Sequence, residues 1–151
     1  MTRIDHINIV VADMARSRAF YADLLGMAVT FEAELTGEWI ETVTGLRGIS
    51  AHCVWCQPPD GQMRLELLQY RTPPGVCLPQ DSLANTQGLR HFALDVDDIQ
   101  GWHARLSAAG VPFVSAPLPV PFPVAGGEKW ICYGHDPDGV LIELAEYRRG
   151  V

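Results

Sequence analysis

The sequence predicts an α+β fold made of two similar halves, and three observations carry that expectation. A short motif beginning with histidine occurs twice. Each copy runs into a helix-like stretch closed by glycine. Each half then ends on a Pro-Asp-Gly turn followed by a strand with a glutamate at its centre.

The first copy reads His6-Ile7-Asn8-Ile9-Val10-Val11-Ala12-Asp13-Met14, the second His91-Phe92-Ala93-Leu94-Asp95-Val96-Asp97-Asp98-Ile99. In both, valine stands five positions after the histidine (Val11, Val96) and aspartate seven positions after it (Asp13, Asp98). Each opening reads as a strand. Asp13 and Asp98 fall where a helix N-cap belongs, because a short carboxylate there accepts from free backbone N–H groups. Helices are expected over residues 14–25 and 99–109. Gly26 and Gly110 follow them, where the chain needs a left-handed residue to leave a helix. The segment 36–48 is ambiguous, with residues 38–43 fitting either a short helix or a strand.

The halves also end alike. Pro59-Asp60-Gly61 precedes Arg64-Leu65-Glu66-Leu67 and Tyr70; Pro137-Asp138-Gly139 precedes Leu141-Ile142-Glu143-Leu144 and Tyr147. Asp-Gly is a hairpin-turn signal, and each glutamate sits in the strand after it. Each half therefore reads strand, helix, then several strands. The modules span 1–70 and 88–151. Residues 71–87 join them, and Pro73, Pro74, Gly75 and Pro79 mark that stretch as a surface linker. A second proline-rich stretch, 112–127, shows no periodicity and reads as a lid, a binding loop or a plain surface excursion.

The chain has 151 residues, 48% of them hydrophobic, which suits one compact domain or two fused small modules. Its net charge of −7, from 11 Lys+Arg against 18 Asp+Glu, disfavours nucleic acid and anionic membranes as partners. No apolar leader precedes the first strand pattern and no apolar run approaches about 18 residues, so a cytoplasmic protein acting on a small molecule is expected. Cys53-Val54-Trp55-Cys56 has the C-x-x-C spacing of zinc knuckles and redox pairs. It lies in a strand, however, where residues three apart point to opposite faces, and no second pair completes a zinc site. With Cys77 and Cys132, these cysteines are read as small hydrophobes in a reducing compartment.

Strand parity supplies the candidate chemistry. If Ile7 and Ile9 face the helix, His6 and Asn8 face the other way. By the same alternation Glu66, His91 and Glu143 project from the face away from the helices. A lone histidine or glutamate on a strand is usually just solvated or hydrogen-bonded. Here the same two residue types recur at equivalent places. Two carboxylates brought together would repel, and a dication would cancel their charge. Two imidazoles and two carboxylates suit Zn, Ni, Co, Mn or Fe(II) better than Ca or Mg.

These features resemble the vicinal oxygen chelate superfamily, also called glyoxalase/bleomycin-resistance/dioxygenase proteins. The likeness spans residues 4–147. It rests on Ile4-Asp5-His6-Ile7, Phe20-Tyr21, Leu24-Leu25-Gly26, Leu65-Glu66-Leu67-Leu68, Gly88-Leu89-Arg90-His91-Phe92-Ala93, and Asp136-Pro137-Asp138-Gly139 through Glu143-Leu144. It implies paired βαβββ modules forming a U-shaped cleft, a homodimer, and a single divalent metal held by His6, Glu66, His91 and Glu143. It also implies Lewis-acid stabilisation of an enolate or a related oxyanion.

Glu66 tilts the expected reaction. The dioxygenase and fosfomycin-transferase patterns need no carboxylate there, whereas glyoxalase I and methylmalonyl-CoA epimerase carry an acidic or amide residue. An isomerase, epimerase or lyase that abstracts a proton next to a carbonyl or carboxylate is therefore expected. Glu143 is the first candidate base, with Glu41 and His52 behind it in the region expected to line the cleft. An Fe(II) extradiol-type dioxygenase and a non-catalytic drug-binding protein are the alternatives. Arg47, Arg64, Arg71, Arg90 and Lys129 form no dense basic patch for a glutathione or coenzyme A substrate. Trp39, Trp55, Trp130 and Phe122 fit an aromatic pocket or ordinary packing. His103 and His135 read as surface residues.

Overall fold

Each copy of the repeat folds into one four-stranded sheet with a helix on one face. In the computed structural model, which describes residues 2–59, 61, 63–79 and 82–149, the chain divides into two units, Met1–Cys77 and Leu78–Val151. The first contains β1 (His6–Val10), α1 (Met14–Arg18), β2 (Ala28–Thr36), α2 (Glu38–Thr44), β3 (Ser50–Gln57) and β4 (Arg64–Thr72). Its sheet has the order β1-β4-β3-β2, with β1 parallel to β4 and the other neighbours antiparallel. The second contains β5 (His91–Asp95), α3 (Ile99–Ala108), β6 (Leu118–Pro119), β7 (Gly127–His135) and β8 (Leu141–Arg149). Its order is β5-β8-β7-β6, again with the first and last strands parallel. The fold is α+β, with an open mixed sheet in each unit.

Both helix starts form as the sequence predicts. Asp13 Oδ1 accepts from Arg16 N, and Asp98 Oδ1 from Gly101 N, each at 3.0 Å. A second tie was not foreseen. The first helical N–H, of Met14 or Ile99, donates to a side chain three residues past the strand glutamate: to Gln69 Oε1 at 3.1 Å, or to Glu146 Oε2 at 3.1 Å. The last strand of each unit thus caps its helix as well as pairing with its first strand. Glu146 also binds Arg148 at 2.6 and 3.0 Å, and that guanidinium holds its carboxyl below the usual range.

The helix expected over 14–25 is α-helical only to Arg18. Residues Ala19–Leu24 widen into a π-helical turn, in which Leu25 N donates to Phe20 O at 2.9 Å. Phe20 and Tyr21 are both buried, ring edge to ring face at 5.0 Å. Gly26 (φ +76) and Gly110 (φ +89) take the left-handed conformation that ends each helical run. The ambiguous segment 36–48 is helical as α2. Its Ile40 packs with Ile49 and Ala51, flanked by Leu35 and Tyr70.

One further expectation changes. The stretch 112–127 is not without structure: β6 pairs with Ile131 and Trp130, and Val114 and Val120 donate to Tyr133 O and Lys129 O at 2.8 Å. Prolines confine it to the sheet edge, since a proline has no N–H to give a further strand. The Asp-Gly turn of the first half includes Asp60, which lies outside the described residues, but Gly61 N still donates to Pro58 O at 3.0 Å. In the second half Asp136 Oδ1 accepts from Asp138 N (2.9 Å) and Val140 N (2.7 Å), fixing the entry into β8. Among the described residues no helix is long and apolar enough to cross a membrane.

Candidate metal centre

Register and parity bring one histidine and one glutamate together in each unit. In the first, β1 and β4 run parallel with Asn8 beside Glu66. His6 Nε2 lies 3.6 Å from Glu66 Oε2. In the second, β5 and β8 place Ala93 beside Glu143, and His91 Nε2 lies 3.2 Å from Glu143 Oε2. The side chains of Gln69 and Glu146 reach the helices, so Glu66 and Glu143, three residues earlier, lie on the opposite faces, as alternation requires.

The surroundings of the two pairs differ. Asp5 Oδ2 lies 3.0 Å from His6 Nδ1. An ionised carboxylate can only accept, so Nδ1 carries the proton and the Nε2 lone pair is left for a metal. Arg64 Nη2 in turn donates to both Asp5 oxygens at 2.6 Å and its guanidinium stacks 4.2 Å over Trp55. The bonds from His6 and then Arg64 hold the Asp5 carboxyl below the ordinary range. Trp55 Nε1 donates to Glu66 Oε1 at 3.3 Å and Asn8 Nδ2 to Glu66 Oε2 at 2.9 Å. His6 and Glu66 therefore sit inside a closed ring of partners.

Glu143 is the more buried carboxylate, with 7% of its side chain exposed against 19% for Glu66. Lys129 Nζ donates to its Oε1 at 2.8 Å. That bond holds the ammonium above its usual range. Tyr133 stands opposite Glu143 in β7, and its ring lies 5.1 Å from that of His91. Burial, followed by the charge of Glu143, pushes the Tyr133 hydroxyl up. His91 follows Arg90, whose Nη2 donates to Ser82 Oγ at 2.8 Å. It lacks the aspartate that His6 has before it.

Among the described residues no group of three or more His, Cys, Asp or Glu side chains lies close enough to hold a metal ion; each unit brings a pair. The pairs themselves fit a transition metal. With metal–nitrogen and metal–oxygen bonds of about 2.0–2.2 Å, two ligands on adjacent positions stand roughly 3.0–3.5 Å apart. The observed 3.2 Å meets that spacing and 3.6 Å is within a small side-chain adjustment of it. Replacing Asp5 by asparagine is expected to weaken Co(II) binding about 10–100-fold, read by calorimetric titration. Unchanged affinity would mean that His6 needs no orienting carboxylate.

The two weaker candidate bases are placed elsewhere. His52 is not on the Glu66 face. Its Nε2 donates to Glu32 Oε1 at 2.7 Å, and Glu32 also binds Arg18 of α1 at 3.0 Å, so His52 lies on the helix side. Cys53 and Trp55, both bonded to Glu66 Oε1, occupy the other face. Glu41, on α2, accepts from Gly48 N at 3.0 Å and braces the 45–48 turn. Arg71 binds Glu34. Cys53 and Cys56 are buried on opposite faces, and burial pushes their thiols up to about 12 and about 11, respectively, far from thiolate chemistry. Cys132 is buried as well, whereas Cys77 is exposed. Of the aromatic candidates, Trp55 lies beside the first pair, Trp130 stacks on Arg148, and Trp39 and Phe122 are exposed. His103 packs its ring 4.5 Å from Phe113, and His135 is half-buried beside Gly139. Asn8, Asp5 and Tyr133 join the site in the structure without having been singled out as site residues in the sequence.

Comparison with known proteins places the family and the fold. The family model described as "Glyoxalase/Bleomycin resistance protein/Dioxygenase superfamily" matches residues 3–144. The uncharacterized protein YaeR of Escherichia coli is 30% identical over 146 residues, covering 97% of each chain. A glyoxalase family protein from Bacillus cereus superposes with a TM-score of 0.83 at 27% identity, over 99% of this chain and 96% of that one. The glyoxalase I of Leishmania major shares the fold at a TM-score of 0.65 and 22% identity, over 97% of this chain and 87% of that one.

Proposed function

Because the chain belongs to the glyoxalase/bleomycin resistance protein/dioxygenase superfamily, we propose that it is a divalent-metal-dependent isomerase, epimerase or lyase that moves a proton next to a carbonyl or carboxylate of a small molecule. The observation that carries this reading is the duplicated His–Glu pair, with Nε2 and Oε2 at 3.6 Å in one unit and 3.2 Å in the other. His6, Glu66, His91 and Glu143 would hold the metal. Their nitrogen and oxygen donors select a transition ion over Ca or Mg. When bound, the ion supplies Lewis-acid polarisation of the substrate oxygen.

The chain's own residues do the rest. Glu143 would act as a displaceable ligand: freed from the metal, its Oε2, the oxygen that Lys129 does not hold, takes the proton, and the same or another acid returns it. Asp5 keeps His6 in one tautomer. Asn8 and Trp55 hold Glu66 by neutral donors. Trp55 and Tyr133, beside the two carboxylates, shield them from water on one side. The acting form is proposed to be a cytoplasmic homodimer.

Elemental analysis is expected to find about one transition-metal ion for each pair of modules, together with any small molecule retained by the purified protein. A protein fully active after chelation would remove the metal. Once that retained molecule or an analogue supplies an assay, Glu143→Gln is expected to lower turnover by about 100-fold or more, the scale of a general base. Normal turnover in that variant would move the base elsewhere.

A further inference from the structure

Lys129 is the one feature of the centre that metal binding does not explain. A lysine beside a metal-ligating carboxylate repels the incoming ion, so its presence needs another cause. It resides on β7, four residues before Tyr133 and on the same face, and bonds Glu143 Oε1 at 2.8 Å. The Tyr147 ring lies 5.2 Å from its Nζ. Its side chain keeps 19% of its surface exposed. An ammonium has three N–H donors; Glu143 takes one and the Tyr147 hydroxyl another, which leaves one for a ligand.

Charge bookkeeping gives a cause. In the second unit, a neutral His91 and the Glu143 carboxylate would leave a bound dication with one positive charge. Lys129 adds another, so that pair, once loaded, would be positively charged. A site of that charge favours a monoanion over an uncharged ligand of the same shape. We propose that Lys129 is a specificity-determining residue that selects a carboxylate-bearing substrate, such as a 2-oxo or 2-hydroxy acid, by donating to one carboxylate oxygen. This rests on the metal-dependent function above and names the substrate class for it.

The test uses the Co(II)-loaded full chain and two probes of one skeleton, glycolate (anionic) and glycolamide (uncharged), each titrated by calorimetry and by the Co(II) absorption spectrum. The wild-type protein is expected to bind glycolate more tightly than glycolamide. Lys129→Met should weaken glycolate about tenfold, leave glycolamide unchanged, and bind Co(II) no more weakly than wild type. Lys129→Arg should keep the preference. Unchanged glycolate affinity in Lys129→Met, or equal loss of both probes, would overturn the assignment while leaving the metal reading intact. Failure of the wild-type protein to bind Co(II) would overturn both.

Discussion

His91→Ala is expected to weaken Co(II) binding by about a hundredfold or more, since even partners one shell further out are worth about 10–100-fold. The substitution removes a neutral nitrogen donor 3.2 Å from Glu143 Oε2. It leaves the Lys129–Glu143 bond in place, so no buried charge is stranded. His91 is exposed and lies on the edge strand β5, and its loss should hardly move the melting temperature. His103→Ala is the matched control, because that ring packs on Phe113 and meets neither glutamate. Calorimetric titration of both variants decides the matter. Equal affinity in His91→Ala and the wild type would exclude this histidine as a ligand.

Leu67→Ala is expected to destabilise the fold by about 2–5 kcal/mol. Leu67 is 0% exposed, on the α1 side of the central strand β4, between Glu66 and Leu68. Truncation removes its packing and leaves a cavity that neighbouring side chains fill only in part. Val10→Ala, at an exposed edge position, should change stability by less than about 0.5 kcal/mol. Urea unfolding compares the two. A shift in midpoint with unchanged slope is expected for Leu67→Ala, and a cost below about 1 kcal/mol would show that the site collapses around the gap.

Much of this is legible in the amino-acid sequence, for a physical reason. A strand buries one face, so alternation in Ile7-Asn8-Ile9 and Leu65-Glu66-Leu67 reports which way His6 and Glu66 point. The duplication then supplies the second pair. What escaped was set by partners distant in sequence. Strand β3 is buried on both faces, at Ala51, Cys53, Val54 and Cys56, so its pattern cannot tell which side His52 takes. Asp5 precedes β1 and is not bound by strand alternation, which left its bond to His6 unforeseen. Lys129 meets Glu143 only because β7 and β8 pair in one register, set by the turn at Asp136. The π-helical turn after Arg18 is a local widening that helical periodicity does not resolve.

The tie between each helix and the last strand of its unit also bears on how the chain is made. Met14 waits for Gln69, 55 residues later, and Ile99 for Glu146, 47 residues later. Among the described residues the strands β1 and β5 likewise pair only with β4 and β8. During synthesis on a ribosome neither half can close until its final strand has emerged, and long-range closure of this kind is slow. The first half nevertheless has all its strands before the second half begins its own. A nascent chain arrested shortly after the first unit is exposed should therefore already resist proteolysis, whereas one arrested before Gln69 should not.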